Sequence, residues 1–287
     1  MGRRTRRPDG RHRRMSGLAM KTALQRLPVA LQAAATLLLS LFLIVPVGMS
    51  ILAGLTRNDF VGLRSGLTLR WVVQVWGLYQ DAIWLSLEVA MATLLITLLV
   101  GVPCGYALSR SRGKLFRTLE SMLMLPVAMP GLATALGLLA VYGSLHAFRV
   151  SAWFIVVGHV IFTLPFMVRA VSAVCSSIDL RTLEEGAASL GAGFVARFRT
   201  VVLPNIRPGI LAGALTVVTL SIGEFNLTWM LSTPMTKTLP VGLADAYASL
   251  RLEVGSAYTL IFFLMIIPLL VLMQRLGVND PDKRASR

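Results

Sequence analysis

Charged side chains are scarce in this chain of 287 residues: they make up 14% of it, whereas a typical soluble domain carries about 25%. Hydrophobic residues make up 55%, and the mean hydropathy is +0.72. So few charges do not cover the water-facing surface of a globular protein of this size. The composition therefore argues against a soluble enzyme, a disordered protein or a disulfide scaffold, and it indicates an integral membrane protein.

Residues that commonly carry catalysis or bind cofactors are also few. The chain has two cysteines, Cys104 and Cys175, which lie far apart without a partner motif, and three scattered histidines. No H-E-x-x-H, G-x-S-x-G or C-x-x-C pattern occurs, and Gly113-Lys114 is followed by Leu115 rather than by the Ser or Thr of a phosphate-binding loop. We therefore predict no cofactor, no metal site and no ATPase activity in this chain.

Six apolar stretches are each long enough to cross a bilayer core of about 30 Å as a helix, which takes about 20 residues. They cover residues 28–55, 82–108, 119–142, 152–173, 208–231 and 255–275. The first is too long for the apolar core of a signal peptide and lacks a clear cleavage site, so we count it as a true span. The sequence thus predicts an all-α, polytopic membrane protein with six transmembrane helices.

Lysine and arginine are unevenly distributed between alternate connections, and the positive-inside rule converts this bias into an orientation. With the N-terminus in the cytosol, 22 of the 28 basic residues lie on the cytosolic side and six on the other. The two ends, residues 1–27 and 277–287, are thus predicted to be cytoplasmic tails. The first tail is rich in arginine, for which nucleic-acid binding is an alternative. Beside so apolar a body a cytosolic flank is the better interpretation, and we expect no nucleic-acid partner.

One predicted cytosolic connection, residues 174–207, is long and polar. Leu183–Leu190 contains helix formers with acidic residues near its start, which suits the positive end of a helix dipole. Gly191 and Gly193 then interrupt the helix. A second helical run is predicted over Phe194–Leu203, with Pro204 as its end. The expected structure is a short helix, a glycine turn and a second helix before the chain re-enters the membrane.

The spacing in this connection resembles the cytosolic signature of bacterial ABC importer permeases: Glu-Ala-Ala, three residues, Gly, nine residues, Ile, one residue, Leu-Pro. The corresponding positions of this chain are Glu185, Gly186, Ala187, Gly191, Val201, Leu203 and Pro204. Two of them depart from the signature, since Gly186 replaces the first alanine and Val201 replaces isoleucine. The glycine should cost the helix about 1 kcal/mol relative to alanine.

This resemblance covers about residues 80–276 and implies the type I ABC importer permease fold for them. It implies that residues 174–207 form a coupling helix that docks on a separate ATP-binding subunit, so that the chain itself is not an enzyme. Two such ATP-binding subunits would drive two permease subunits, the second identical or homologous, between inward-open and outward-open states. A periplasmic binding protein would deliver the solute. The implied location is the bacterial inner membrane, in contact with lipid.

Prolines and polar residues inside the apolar stretches are candidates for the translocation path. Pro126 and Pro130 disturb the third span, and broken helices at membrane depth are tolerated where they line a cavity or are buried in protein. A harmless kink is an equal alternative.

Glu224 lies about midway along the fifth span with Asn226 nearby, and a carboxylate there is costly unless it faces protein or water. A structural hydrogen bond or salt bridge is again an equal alternative. His159, in the fourth span, is expected to be a buried hydrogen-bonding residue.

The segment around Glu224 also resembles iron, thiamine, sulfate and phosphonate permeases, and the stretch after it resembles polyamine and phosphonate permeases. The substrates that this implies are 2-aminoethylphosphonate, a polyamine or ferric iron. Two other classes of function remain as alternatives. An ion-coupled secondary transporter would usually need more spans and internal repeats, and it would not explain the spacing of the cytosolic loop. A membrane-embedded enzyme would need clustered His, Asp or Glu residues.

Overall fold

The structure is a computed structural model that describes residues 10–110 and 113–277. Within these ranges the regular structure is helical, apart from one isolated antiparallel bridge between Thr56 and Leu67. The chain divides after Leu52 into two compact units, each described by itself below.

The first unit consists of most of one helix, α1, which runs from Gly10 to Ala53. Its second half, Leu31–Ala53, is long and apolar enough to cross a membrane. The side chains of Leu31 and Phe42 are exposed, as expected for a helix whose neighbours are lipid. The helix already includes Gly10, which lies in the segment predicted as a cytoplasmic tail.

The second unit contains twelve α-helices in the described part of the chain. They are α2 (Arg70–Arg110), α3 (Lys114–Leu123), α4 (Leu125–Ala128), α5 (Gly131–Tyr142), α6 (His146–Arg149), α7 (Ala152–Ser177), α8 (Leu180–Ser189), α9 (Phe194–Arg197), α10 (Leu203–Gly223), α11 (Asn226–Leu231), α12 (Leu239–Ala248) and α13 (Leu252–Gly277). A 3₁₀ turn covers Gly62–Ser65, and a π-helical turn covers Phe198–Val202.

Helices α2, α7 and α10 pack against one another along their lengths and form the centre of this unit. The helices approach closely because small residues lie at their contacts, as is usual for helices in membranes. At Gly105 of α2 a β-carbon would lie 2.8 Å from the carbonyl oxygen of Val168 in α7. At Gly209 of α10 it would lie 2.7 Å from the carbonyl oxygen of Ala170. Glycine is therefore needed at both positions for the observed packing.

Five described helices are long and apolar enough to cross a membrane, and a sixth span is obtained if the bent pair Lys114–Ala128 and Gly131–Tyr142 is counted as one. That pair bends by 103° at Pro130, which precedes α5. The prediction that proline disturbs the third span is thus confirmed. The predicted second, fourth and sixth spans lie within α2, α7 and α13.

The predicted fifth span, residues 208–231, was wrong as a single helix. Helix α10 ends at Gly223, and Glu224 adopts an extended conformation before α11 begins at Asn226. Upstream, α10 already begins at Leu203, so Pro204 lies in its first turn rather than ending a separate helix. Proline is tolerated there because the first backbone N–H groups of a helix have no partner within it.

Candidate functional site

The connection predicted to be cytosolic, residues 174–207, has the predicted order of helix, glycine turn and second helix. Helix α8 begins at Leu180 because the side chain of Asp179 accepts a hydrogen bond from the backbone N–H of Thr182, at 3.3 Å, and another from the hydroxyl of Thr182, at 2.6 Å. Side-chain oxygens of this kind satisfy otherwise unpaired donors of a first helical turn. The hydrogen bonds from Thr182 lower the pKa of the Asp179 carboxyl below its ordinary value.

Gly191 forms the turn after α8. Its φ angle is +83°, in the left-handed region that side chains with a β-carbon rarely adopt. Its N–H donates to the carbonyl of Ala188 at 2.9 Å, and the N–H of Ala192 donates to the carbonyl of Ala187 at 3.1 Å. These bonds close the C-terminus of α8 and turn the chain toward α9.

The outer face of α8 and the following turn is open to solvent. The Glu185 side chain is 63% exposed and forms an ion pair with Arg181, one helical turn earlier, at 2.8 Å. A β-carbon at Gly186 would meet no described atom within 4 Å. Large apolar side chains are exposed beside them at Leu183, Leu190, Phe194 and Val195. Exposed apolar side chains that lie together in this way are typical of an interaction surface.

Of the remaining positions of the predicted coupling signature, Ala187 lies in α8 beside Gly186 and is half-buried. The other three lie at the far end of the connection, where Val201 is half-buried and Leu203 and Pro204 are exposed at the start of α10. The signature therefore spans two neighbouring surfaces: the exposed turn of α8 and the first turn of the following membrane helix.

Glu184 is the buried acidic residue of this loop, and the sequence analysis did not single it out. The residue is 2% exposed, and its carboxylate accepts hydrogen bonds from the Tyr106 hydroxyl at 2.9 Å. It also forms a salt bridge with Arg110, and the Tyr106 ring packs edge-on against Phe198 in the π-helical turn. Glu184 thus ties α8 to the end of α2. The sequence does contain a signal for this role: Glu184 follows the apolar Leu180 by four residues, so both lie on the same face of the helix. The structure shows that this face is buried.

Glu224 lies at the break between α10 and α11, rather than in mid-helix as predicted. Its carboxylate accepts hydrogen bonds from the backbone N–H of Leu227 at 3.1 Å and of Thr228 at 2.9 Å. The Thr228 hydroxyl donates a third bond, at 3.1 Å. These three donors stabilise the charge and fix the start of α11, where Asn226 is exposed. The side chain therefore performs a structural task at a position that a continuous helix would not create.

The structure brings three of the four candidate path residues together. Pro130 is the N-terminal capping residue of α5, and a β-carbon built on the next residue, Gly131, would lie 3.5 Å from Oε1 of Glu224 and 3.6 Å from the β-carbon of Asn226. The breaks in the third and fifth spans are therefore adjacent. Pro126, by contrast, lines an apolar groove of about 470 Å³ together with residues of α2 and α7.

His159 is buried and hydrogen-bonded at both ring nitrogens, in agreement with its predicted role. Its Nδ1 lies 2.8 Å from the hydroxyl oxygen of Ser221, and its Nε2 lies 2.7 Å from that of Thr228. Because Thr228 also bonds to Glu224, the histidine on α7 is connected to the break in the fifth span through a single side chain.

Comparison with known proteins places this fold and these loops in a family. A match to the family described as "Binding-protein-dependent transport system inner membrane component" covers residues 99–278, more than half of the chain. The chain therefore belongs to this family.

Two named relatives show how far the similarity extends. One is PhnV of Salmonella typhimurium, named as a 2-aminoethylphosphonate transport system permease, with 28% identity over 85% of this chain and 92% of the relative. The other is ModB of Mycobacterium tuberculosis, named as a molybdenum transport system permease, with 28% identity over 70% of this chain and 80% of the relative.

Solved structures agree on the fold. A bacterial ABC transporter involved in alginate import matches 91% of this chain and 99% of its own with a TM-score of 0.73 and 13% identity. The MetNI methionine ABC transporter in inward-facing conformations matches 71% of this chain and 94% of its own, with a TM-score of 0.58 and 18% identity. The predicted type I permease fold and the predicted function as a permease subunit of an ABC importer are confirmed.

Proposed function

We propose that this permease carries 2-aminoethylphosphonate or a closely similar small phosphonate. The observation that supports this choice is the extent of the similarity to PhnV, which covers 85% of the chain, against 70% for the molybdenum permease.

Uptake into proteoliposomes tests this proposal. The permease is reconstituted with its ATP-binding subunit and its binding protein, and ATP-dependent uptake of radiolabelled 2-aminoethylphosphonate is measured. Unlabelled 2-aminoethylphosphonate should abolish uptake of the label, whereas an equal excess of molybdate or spermidine should leave it unchanged. ATP-dependent uptake of molybdate, spermidine or ferric iron, with none of the phosphonate, would refute the assignment.

The assembly that we propose contains two permease subunits, identical or homologous, and two copies of the ATP-binding subunit. The family description itself includes dependence on a binding protein, which in this proposal docks from the periplasm. The coupling surface toward the ATP-binding subunit consists of Glu185, Gly186, Ala187, Leu190 and Gly191. The exposure of this surface and its apolar side chains support this role. A protein partner can dock only on an accessible surface, and it would bury the apolar side chains in the interface.

We further propose that both termini and residues 174–207 lie in the cytosol, which the distribution of basic residues supports. Single cysteines at Ser189 and at Met235 test the orientation, since both residues are exposed and the second lies in a predicted periplasmic loop. Both native cysteines are first replaced by alanine. A membrane-impermeant maleimide should label Met235→Cys in intact cells, and it should label Ser189→Cys only after the membrane is opened. The opposite pattern would invert the topology.

A further inference from the structure

Four polar side chains form one continuous chain of hydrogen bonds inside the helix bundle. Ser221 near the end of α10 bonds to His159 of α7, His159 bonds to Thr228 of α11, and Thr228 bonds to Glu224 at the break. Ser221, His159 and Thr228 are all buried. The chain of bonds therefore connects three helices at the point where the fifth span is interrupted.

The donors and acceptors of this chain can be assigned from its ends. An ionised carboxylate only accepts hydrogen bonds, so the single hydroxyl proton of Thr228 points to Glu224. Toward His159 the Thr228 oxygen must then accept, which places the imidazole proton on Nε2. The Nδ1 atom of a neutral imidazole is an acceptor, and it receives the hydroxyl proton of Ser221. All bonds thus run in one direction, from Ser221 to Glu224.

The two halves of the fifth span are buried in different places. Val217 and Ile222 of α10 belong to a cluster with residues of α2, α7 and α13. Leu227 and Leu231 of α11 belong to a second cluster with residues of α2, α5 and α7. Helices α2 and α7 contribute to both clusters, but with different residues. The non-helical residues at the break therefore join two segments that are packed separately.

Space for movement lies beside the break. Gly223 and Phe225, on either side of Glu224, line a half-open groove of about 390 Å³ whose other walls come from α12 and α13. Protein interiors are otherwise close-packed, so this groove leaves room for the segment beside it to move. Phe225 stacks on Trp229 of α11, with ring centroids 6.2 Å apart, and would move together with that helix.

We propose that His159 is a positioning residue for transport. By donating from Nε2 it keeps the Thr228 hydroxyl directed at Glu224, and this holds α11 against the start of α5 in one arrangement. The break between α10 and α11 is the part of the fifth span that changes its geometry during the transport cycle. Neither the role of His159 nor the movement of the break follows from the names of the relatives or from the shared fold.

A disulfide measures whether α11 rests against α5. The β-carbons at positions 131 and 226 would be 3.6 Å apart, within the range of about 3.5–4.5 Å that disulfides require. In the permease without its native cysteines, Gly131→Cys with Asn226→Cys should form this bond on mild oxidation. The rate of formation, read from gel mobility in the assembled transporter without nucleotide, needs no knowledge of the substrate.

Two matched pairs of variants separate the two arms of His159. His159→Gln can place an amide donor near the position of Nε2 and keep the bond to Thr228, whereas His159→Asn reaches only the position of Nδ1 and keeps the bond from Ser221. Thr228→Ser keeps the hydroxyl, and Thr228→Val removes it without changing the shape. The Asn and Val variants should slow disulfide formation about fivefold, the factor that corresponds to one hydrogen bond of ~1 kcal/mol. The Gln and Ser variants should keep the native rate.

The same disulfide tests whether the break must move. ATP hydrolysis by the complete transporter should stop when the bond is formed and return when dithiothreitol reduces it, while the cysteine-free parent should hydrolyse ATP equally under both conditions. A native rate of disulfide formation in both Thr228→Val and His159→Asn would show that His159 does not position α11. Undiminished ATP hydrolysis by the oxidised protein would show that the break stays fixed during the cycle. Should Thr228→Val not reach the membrane, the comparison of His159→Gln with His159→Asn still decides the first question.

Discussion

Replacement of Glu184 by alanine should lower the free energy of unfolding of the permease by about 2–3 kcal/mol, because the change leaves the donors of Tyr106 and Arg110 without their buried acceptor. The carboxylate side chain is 3% exposed and the Arg110 side chain is 40% exposed. Arg110 can therefore turn toward water, which keeps the loss below the largest values known for broken buried ion pairs. The Tyr106 hydroxyl, buried between α2 and α8, has no such alternative.

The neighbouring residue provides the control for this prediction. Glu185→Ala removes only an exposed ion pair with Arg181, and surface substitutions of this kind change stability by no more than about 0.5 kcal/mol. Thermal unfolding of the purified permease should thus separate the two variants. Co-purification with the ATP-binding subunit should give the opposite order. Glu185→Ala should retain less of that subunit than Glu184→Ala, since it removes a side chain from the proposed coupling surface and leaves the fold intact.

Two results would contradict this division of roles. If Glu185→Ala melted at a lower temperature than Glu184→Ala, the buried anchor would be assigned to the wrong residue. If Glu185→Ala and the more severe Gly191→Trp both retained the ATP-binding subunit in native amount, the exposed face of α8 would not be the coupling surface.

The order of helix, glycine turn and helix in residues 174–207 was predictable from sequence because it is local, and the turn at Gly191 follows from the backbone conformation that glycine alone adopts easily. The start of α8 was predicted at Leu183, three residues too late, because the capping by Asp179 was not recognised. The choice between Glu184 and Glu185 was not predictable in the same way. The two residues are adjacent on a short helix, and the residue that faces inward is decided by the position of Tyr106, which is 78 residues away in the chain.

The break in the fifth span escaped prediction for a related reason. The sequence remains apolar from α10 through α11, so hydropathy indicates one continuous helix over both. The interruption depends on a side chain that replaces the helical partners of two backbone N–H groups, those of Leu227 and Thr228. It also depends on His159, which is brought to Thr228 only by the packing of α7. In the third span, by contrast, Pro130 predicts the bend, because proline has no backbone N–H to donate within a helix.

The second prediction with a large effect concerns the contact between α2 and α7. Gly105→Ala should lower the free energy of unfolding by about 1–3 kcal/mol, the usual range for overpacking of a well-filled interior. The added methyl group would lie 2.8 Å from the carbonyl oxygen of Val168 and 2.9 Å from the β-carbon of Val171. The first of these is a backbone atom, so it can withdraw only if α7 itself moves away from α2.

Gly137→Ala is the matched control, since Gly137 lies in the middle of helix α5 and a β-carbon there would meet no described atom within 4 Å. Alanine is favoured over glycine inside a helix by about 1 kcal/mol, so this variant should be as stable as the native protein or slightly more so. The melting temperatures of the two variants, measured in the same lipid nanodiscs, should therefore move in opposite directions.

This comparison separates close packing from intrinsic helix propensity as the reason for glycine in α2. Both substitutions add the same methyl group to the interior of a helix, and propensity alone would raise the stability of both. A lower melting temperature for Gly105→Ala therefore measures the contact with α7, and Gly209→Ala should repeat the effect, since its methyl group would lie 2.7 Å from the carbonyl oxygen of Ala170. If Gly105→Ala and Gly137→Ala were equally stabilised, α2 and α7 would not be in close contact at Gly105, and the central packing described above would be wrong.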